Sequence, residues 1–185
     1  MIPYEIVRSR RKTISLQVTQ EGKVLVRCPR RLPLGQVQRF VLEHENWLEA
    51  QLTKIAAQPK LPKLTEDERK ALASQAAQEI PRLVEIYAPL VGVSYGRITI
   101  RSQRGRWGSC SGAGNLNFNC LLMLTPPQVR EYVVVHELCH RKEMNHSAQF
   151  WAEVERILPD YRQRRQWLKD QGGALIARLP SKEDA

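Results

Sequence analysis

The stretch from Val133 to Trp151 reads VVVHELCHRKEMNHSAQFW, and its first half constrains the fold more than any other part of the chain. Side chains four residues apart on an α-helix stand one above the other, so His136 and His140 can offer their ring nitrogens to a single ion. Glu137 follows about 100° round the helix, beside that ion and free to hold a water. Tyr132 to Val135 are apolar or amphipathic, which predicts a helix buried against a core rather than lying on a surface. Three of the four histidines, His136, His140 and His146, fall within eleven residues.

Catalytic zinc sites usually combine three protein ligands with one open position. His146 is the leading third ligand. It is reached if the helix fails after Met144, with Asn145 in the left-handed conformation and Ser147 capping a new helix. Glu153 and Glu155, on that next helix, are the alternatives. The cofactor expected is Zn²⁺, with Glu137 as catalytic base. The fourth histidine, His44, reads as a packing residue, and Cys139 as a small buried hydrophobe. Cys28, Cys110, Cys120 and Cys139 have no CxxC spacing, so neither a zinc ribbon nor a disulfide framework is expected.

Upstream, Ile14, Leu16 and Val18 alternate with polar residues, as do Val24, Val26 and Cys28 after a turn at Glu21 and Gly22. With a strand near Tyr4–Val7 they predict a three-stranded β-meander. A single helix carrying Val37, Val41, His44, Leu48 and Leu52 should pack on it. Gln58–Lys63, with Pro59 and Pro62, reads as a connector. A second helix starts at a capping box, Thr65 and Glu68, and ends at Gly92, with Leu72, Ala76, Ile80, Leu83, Tyr87 and Leu90 inward and Pro81 kinking or splitting it. Short β runs at Arg97–Arg101, Arg106–Ser111 and Asn115–Asn119 follow, turned by Gly112 and Gly114. Helices then run on, broken at Pro159 and stopped by Gly172 and Gly173. The fold class is α+β: an N-terminal meander and helix (residues 1–58) packed on a helical core with a small antiparallel sheet (66–178), then a tail (179–185).

The net charge is +10, and residues 97–130 hold five arginines and no acid. Such a surplus attracts polyanions, so nucleic acid or a nucleotide joins peptide or protein among the candidate partners. No apolar run reaches the length of a membrane span, and the opening MIPYEIVRSRRK lacks a signal-peptide h-region. A cytoplasmic location is expected, without membrane partners.

The motifs RWGSCS (106–111), NLNFN (115–119) and YVVVHELCHRKEMNHSAQFW (132–151), with RSRRKTISLQV near the start, resemble the YgjP-like metallopeptidase-domain proteins, relatives of the SprT-like and wider zincin metallopeptidases. The resemblance implies a zincin-like core in which His136, His140 and His146 hold zinc and Glu137 acts as base. Some relatives use a downstream Glu as third ligand, where the NHS turn here favours His146. SprT-like proteins commonly carry a cysteine-rich ribbon after the motif, and this chain has no cysteine beyond Cys139.

Three functions follow from these residues. The first is a metallopeptidase using zinc-activated water and Glu137, with the strand Leu116–Asn119 accepting an extended peptide at a sheet edge. Arg106, Asn117 and Tyr161 are its candidates for oxyanion stabilisation, and each also has a structural reading. The second is a metal-dependent nucleotide pyrophosphatase or phosphohydrolase, which the arginine run would serve. The third is a basic nucleic-acid-binding module with structural zinc, against which an intact Glu137 argues.

Overall fold

The computed structural model describes residues 2–19, 21–57 and 61–180. The chain divides into two compact units, Met1–Lys60 and Leu61–Ala185.

In the first unit, period-two alternation makes strands β1 (Glu5–Ser9), β2 (Ser15–Val18) and β3 (Val24–Pro29). The expected meander does not form. The sheet order is β1-β3-β2, with β3 antiparallel to β2 but parallel to β1. Burial explains the central position of β3: Val24, Val26 and Cys28 are buried, whereas β1 and β2 are half-covered edges. The single expected helix is two, α1 (Leu34–Glu43) and α2 (Glu45–Ala56). His44 leaves helical geometry at φ −113°, ψ 14°, and its Nδ1 lies 2.8 Å from the Phe40 carbonyl oxygen, the acceptor that its amide would use in a continuous helix. Val37, Val41 and Leu48 complete this small core, and half-buried His44 lies against the Phe40 ring, with centroids 4.3 Å apart.

The second unit opens with α3 (Glu66–Val91). The Glu68 amide donates to Thr65 Oγ1 at 3.2 Å, and the Thr65 amide donates to Glu68 Oε2 at 2.7 Å, the reciprocal pair of a capping box. Gly92, at φ 78°, closes the far end. Pro81 does not split α3, because buried Leu72, Ala76, Ile80, Val84 and Ala88 clamp the same face on both sides of it. Leu90, expected inward, is 53% exposed, and Val91 is buried instead.

Strands β4 (Ile98–Arg101), β5 (Gly108–Cys110) and β6 (Leu116–Asn119) form a sheet of order β4-β6-β5. It is mixed rather than antiparallel: β6 pairs in parallel with β4 and antiparallel with β5. Leu116 and Phe118 turn from this central strand into the core. Asn119 is fully buried at its end, donating to the carbonyls of Gln103 and Arg106 at 2.6 and 3.1 Å, so the β4–β5 connection folds over it.

A 3₁₀ turn (Cys120–Leu124) leads to α4 (Pro127–Cys139), α5 (Ala148–Ile157) and α6 (Tyr161–Ala177). Helix α4 packs on α3 and carries a nearly unbroken buried run from Tyr132 to Cys139. The glycine pair does not stop α6. Gly172 lies inside it, where an added Cβ would stand 3.1 Å from the Trp107 ring, so close packing is what asks for glycine there. Leu179, assigned from the sequence to the tail, is 3% exposed and belongs to the core. The Leu64 amide donates to the Arg178 carbonyl at 2.8 Å, and Arg178 Nε donates to the Pro62 carbonyl at 3.0 Å. Residues 58–60 of the expected connector and 181–185 of the expected tail lie outside the described residues. No helix among the described residues is long and apolar enough to cross a membrane.

Candidate metal centre

Helix α4 ends one residue before His140, which stays right-handed at φ −62°, ψ −15°, so the four-residue spacing from His136 survives the helix end. A short turn then returns the chain to the site. The amides of Lys142 and Glu143 both donate to the Cys139 carbonyl at 3.0 Å. Asn145 is not left-handed as expected, since no non-glycine residue among the described residues has positive φ; instead its Oδ1 accepts from the Ser147 amide at 3.2 Å. Ser147 Oγ in turn accepts from the Phe150 amide at 3.2 Å and starts α5. Arg141 fixes this turn from outside, donating to the carbonyls of Ser94 and Gly112 at 3.0 and 3.2 Å.

The result brings His136, His140 and His146 together, one ligand atom from each lying within 4.8 Å of the others. Ring centroids are 4.9, 5.0 and 4.8 Å apart. His136 Nε2 and His146 Nε2 approach to 3.1 Å. Two neutral imidazoles turn lone pairs at each other at that distance only if a cation or a proton lies between them. Burial, followed by the neighbouring His140 and His146, lowers the His136 pKa to about 3, which keeps its imidazole neutral and suited to a metal. His140 Nδ1 lies 2.9 Å from the Glu143 carbonyl oxygen, which leaves its Nε2 for the centre. The donor set therefore fits a borderline divalent ion, with one side open through exposed His146. Phe150 packs against all three rings, stacked on His140 and edge-on to the other two, and Trp151 stacks on His146.

The alternative ligands point elsewhere. Glu153 pairs with Lys142 and Arg156, and Glu155 with Arg162. Among the described residues the three histidines are the one cluster able to hold a metal, and Cys110 and Cys120 form no second site. Cys139 is fully buried beside the motif, its thiol pushed up to about 12 by that burial.

Glu137 is 5% exposed, and burial raises its pKa to about 8 against an opposing pull from Arg106. A cation at the histidines would act in the same sense as Arg106, favouring the carboxylate. Its side chain lies on Gly108. A Cβ built there would meet Glu137 Oε1 at 2.6 Å and Cγ at 2.7 Å. The glycine of RWGSCS thus makes room for the carboxylate, a role that sequence reasoning missed although the motif itself stood out.

The strand Leu116–Asn119 is paired on both sides, so it has no edge for a peptide. The edge near the site is β5. The Asn119 amide donates to the Trp107 carbonyl at 2.8 Å and the Ser111 amide to the Asn115 carbonyl at 3.0 Å, which turns the backbone groups of Gly108 and Cys110 away from β6. Of the oxyanion candidates, Asn117 donates to Ser109 Oγ within the sheet and buried Tyr161 stacks on Trp151; Arg106 lies near Glu137.

A helix-borne pair of histidines joined by a third from the following turn defines a metal-binding domain. Residues 12–71 and 63–171 match the family model described as YgjP-like, metallopeptidase domain, and the chain belongs to that family. None of the curated proteins matches the chain. Among solved structures it is similar to the metallopeptidase zymogen abylysin of Pyrococcus abyssi, at 24% identity and a TM-score of 0.45, covering 50% of this chain and 95% of that one. It is also similar to the zymogen of jannalysin from Methanocaldococcus jannaschii, at 18% identity and a TM-score of 0.45, covering 51% and 97%.

Proposed function

We propose that the chain is a zinc-dependent peptidase in which Glu137 is the general base. The observation that carries this reading is the convergence of three imidazoles beside the buried Glu137 carboxyl group and a sheet edge. His136, His140 and His146 would hold the ion. Zinc bound there supplies Lewis acidity toward a carbonyl oxygen and makes water acidic near neutral pH.

The protein's own residues do the rest. The outward amide and carbonyl groups of Gly108 and Cys110 would bind an extended peptide as an added strand. That strand would run past Glu137, because Gly108 touches its carboxyl group. One Glu137 carboxylate oxygen accepts a proton from the attacking water and returns it to the nitrogen of the departing amine. Phe150 and the buried face of α4 exclude bulk water on the inner side, which strengthens every charge interaction there.

The test is hydrolysis of casein and of a mixed peptide set by zinc-loaded protein, against Glu137→Gln. Cleavage lost in the variant at unchanged zinc content supports the reading. Hydrolysis of nucleoside triphosphates with no peptide cleavage would assign the centre to phosphoanhydride chemistry instead.

A further inference from the structure

The arginines of α5 and α6 are almost all answered by acids. Arg156 pairs with Glu153, Arg162 with Glu155, and Arg164 with both Asp160 and Glu131. Arg165 is the exception, making no ion pair or hydrogen bond among the described residues. Its guanidinium carbon sits 4.4 Å from the centroid of the Trp151 ring. That ring stacks on His146, with centroids 5.6 Å apart and planes at 24°. Arg165 is half-buried there, against the ring that packs on His146.

A cation left uncompensated beside a site for a divalent cation is electrostatically costly. Arg106 lies close enough to Glu137 for its charge to favour the carboxylate. Arg165 has nothing comparable. Stacking on Trp151 also holds the guanidinium plane in place, so little freedom is lost when it receives a planar, two-oxygen anion.

We propose that Arg165 is a specificity-determining residue that receives a substrate carboxylate beside the metal centre, so that the preferred peptides carry a carboxylate close to the bond cleaved. This rests on the peptidase reading above. The carboxylate has two possible sources in a peptide, an Asp or Glu side chain or the free C-terminus, and both present the same pair of oxygens.

The test uses full-length, zinc-loaded protein and one peptide cleaved by the wild type. Glu, Gln or Lys is placed in turn at each of the three positions on either side of the bond, with free or amidated C-termini. A preference for Glu over Gln of about tenfold in kcat/KM is expected at one position, the scale of a charge-assisted hydrogen-bonded contact. Arg165→Gln should erase it, so that Glu and Gln peptides are cut with equal kcat/KM, and Arg165→Lys should restore part of it. Preference that follows the free C-terminus assigns the anion to that group.

Binding separates the two readings. Zinc-loaded Glu137→Gln is titrated with the Glu and Gln peptides, followed by tryptophan fluorescence, with and without Arg165→Gln. Tighter binding of the Glu peptide that depends on Arg165 supports the proposal even if no peptide is ever cut, whereas the peptidase reading then fails. Equal binding and cleavage of Glu and Gln peptides by the wild type, or a Glu preference that survives in Arg165→Gln, overturns it.

Discussion

Gly108 and Glu137 are packed so closely that no side chain fits between them. A methyl group at 108 would stand 2.6 to 2.8 Å from three atoms of the Glu137 side chain, well inside contact distance. Gly108→Ala should therefore leave the three histidines untouched while pushing the carboxylate off its position. The expected result is normal zinc content with hydrolysis reduced about a hundredfold or more, the scale on which displacements near 1 Å act in active sites. Zinc analysis beside a peptide assay checks it, and full activity would show that Glu137 has room the geometry denies.

His146 reaches the site from a turn, whereas His136 and His140 share one helix. Its replacement by Ala should weaken zinc binding by more than the roughly 10–100-fold typical of losing an outer-shell partner. Metal titration against a competing chelator measures this. Equal affinity in wild type and variant would remove His146 from the ligand set.

Phe150 is fully buried and touches the rings of all three histidines. Phe150→Ala should cost about 3–5 kcal/mol of unfolding free energy, the usual range for a large core truncation. Zinc affinity should fall with it, because the imidazoles lose the surface that orients them. Denaturant unfolding and zinc titration together check both halves; a stability loss with unchanged zinc affinity would confine Phe150 to the core.

Glu153 links the turn after the motif to α5. Hydrogen bonds from Arg156, and then from Lys142, hold its pKa near 2, below the ordinary 4.5. A carboxyl group with a depressed folded pKa stabilises the fold above its unfolded pKa and loses that contribution as pH falls toward the folded value. Wild type should thus unfold at a higher temperature than Glu153→Gln at pH 6, with the gap shrinking from about pH 4.5 and closing near pH 2. A gap independent of pH would assign the difference to packing instead.

The histidine cluster was legible because its signal is local: helical spacing places His136 and His140, and Ser147 marks the start of the helix that follows His146. Helix ends were legible where a side chain or glycine caps them, as at Thr65 and Gly92. Sheet order was not, since alternation identifies β1 and β4 as strands without revealing that each runs parallel to a later, more buried partner. Pro81 and Gly172 misled for a related reason. Local propensity says stop, and tertiary packing against α4 or Trp107 decides otherwise. The free sheet edge lies at β5 rather than β6 on the same ground, because edge status belongs to the whole sheet.

The hydrogen bonds joining residues 62–64 to residues 177–179 bring the opening of the second unit against the end of α6. A unit whose first and last described segments meet can be reconnected there and opened elsewhere, at an exposed turn away from the histidines. In such a rearranged order the histidine helix and its returning turn would remain one uninterrupted stretch, still packed on α3 and against Gly108.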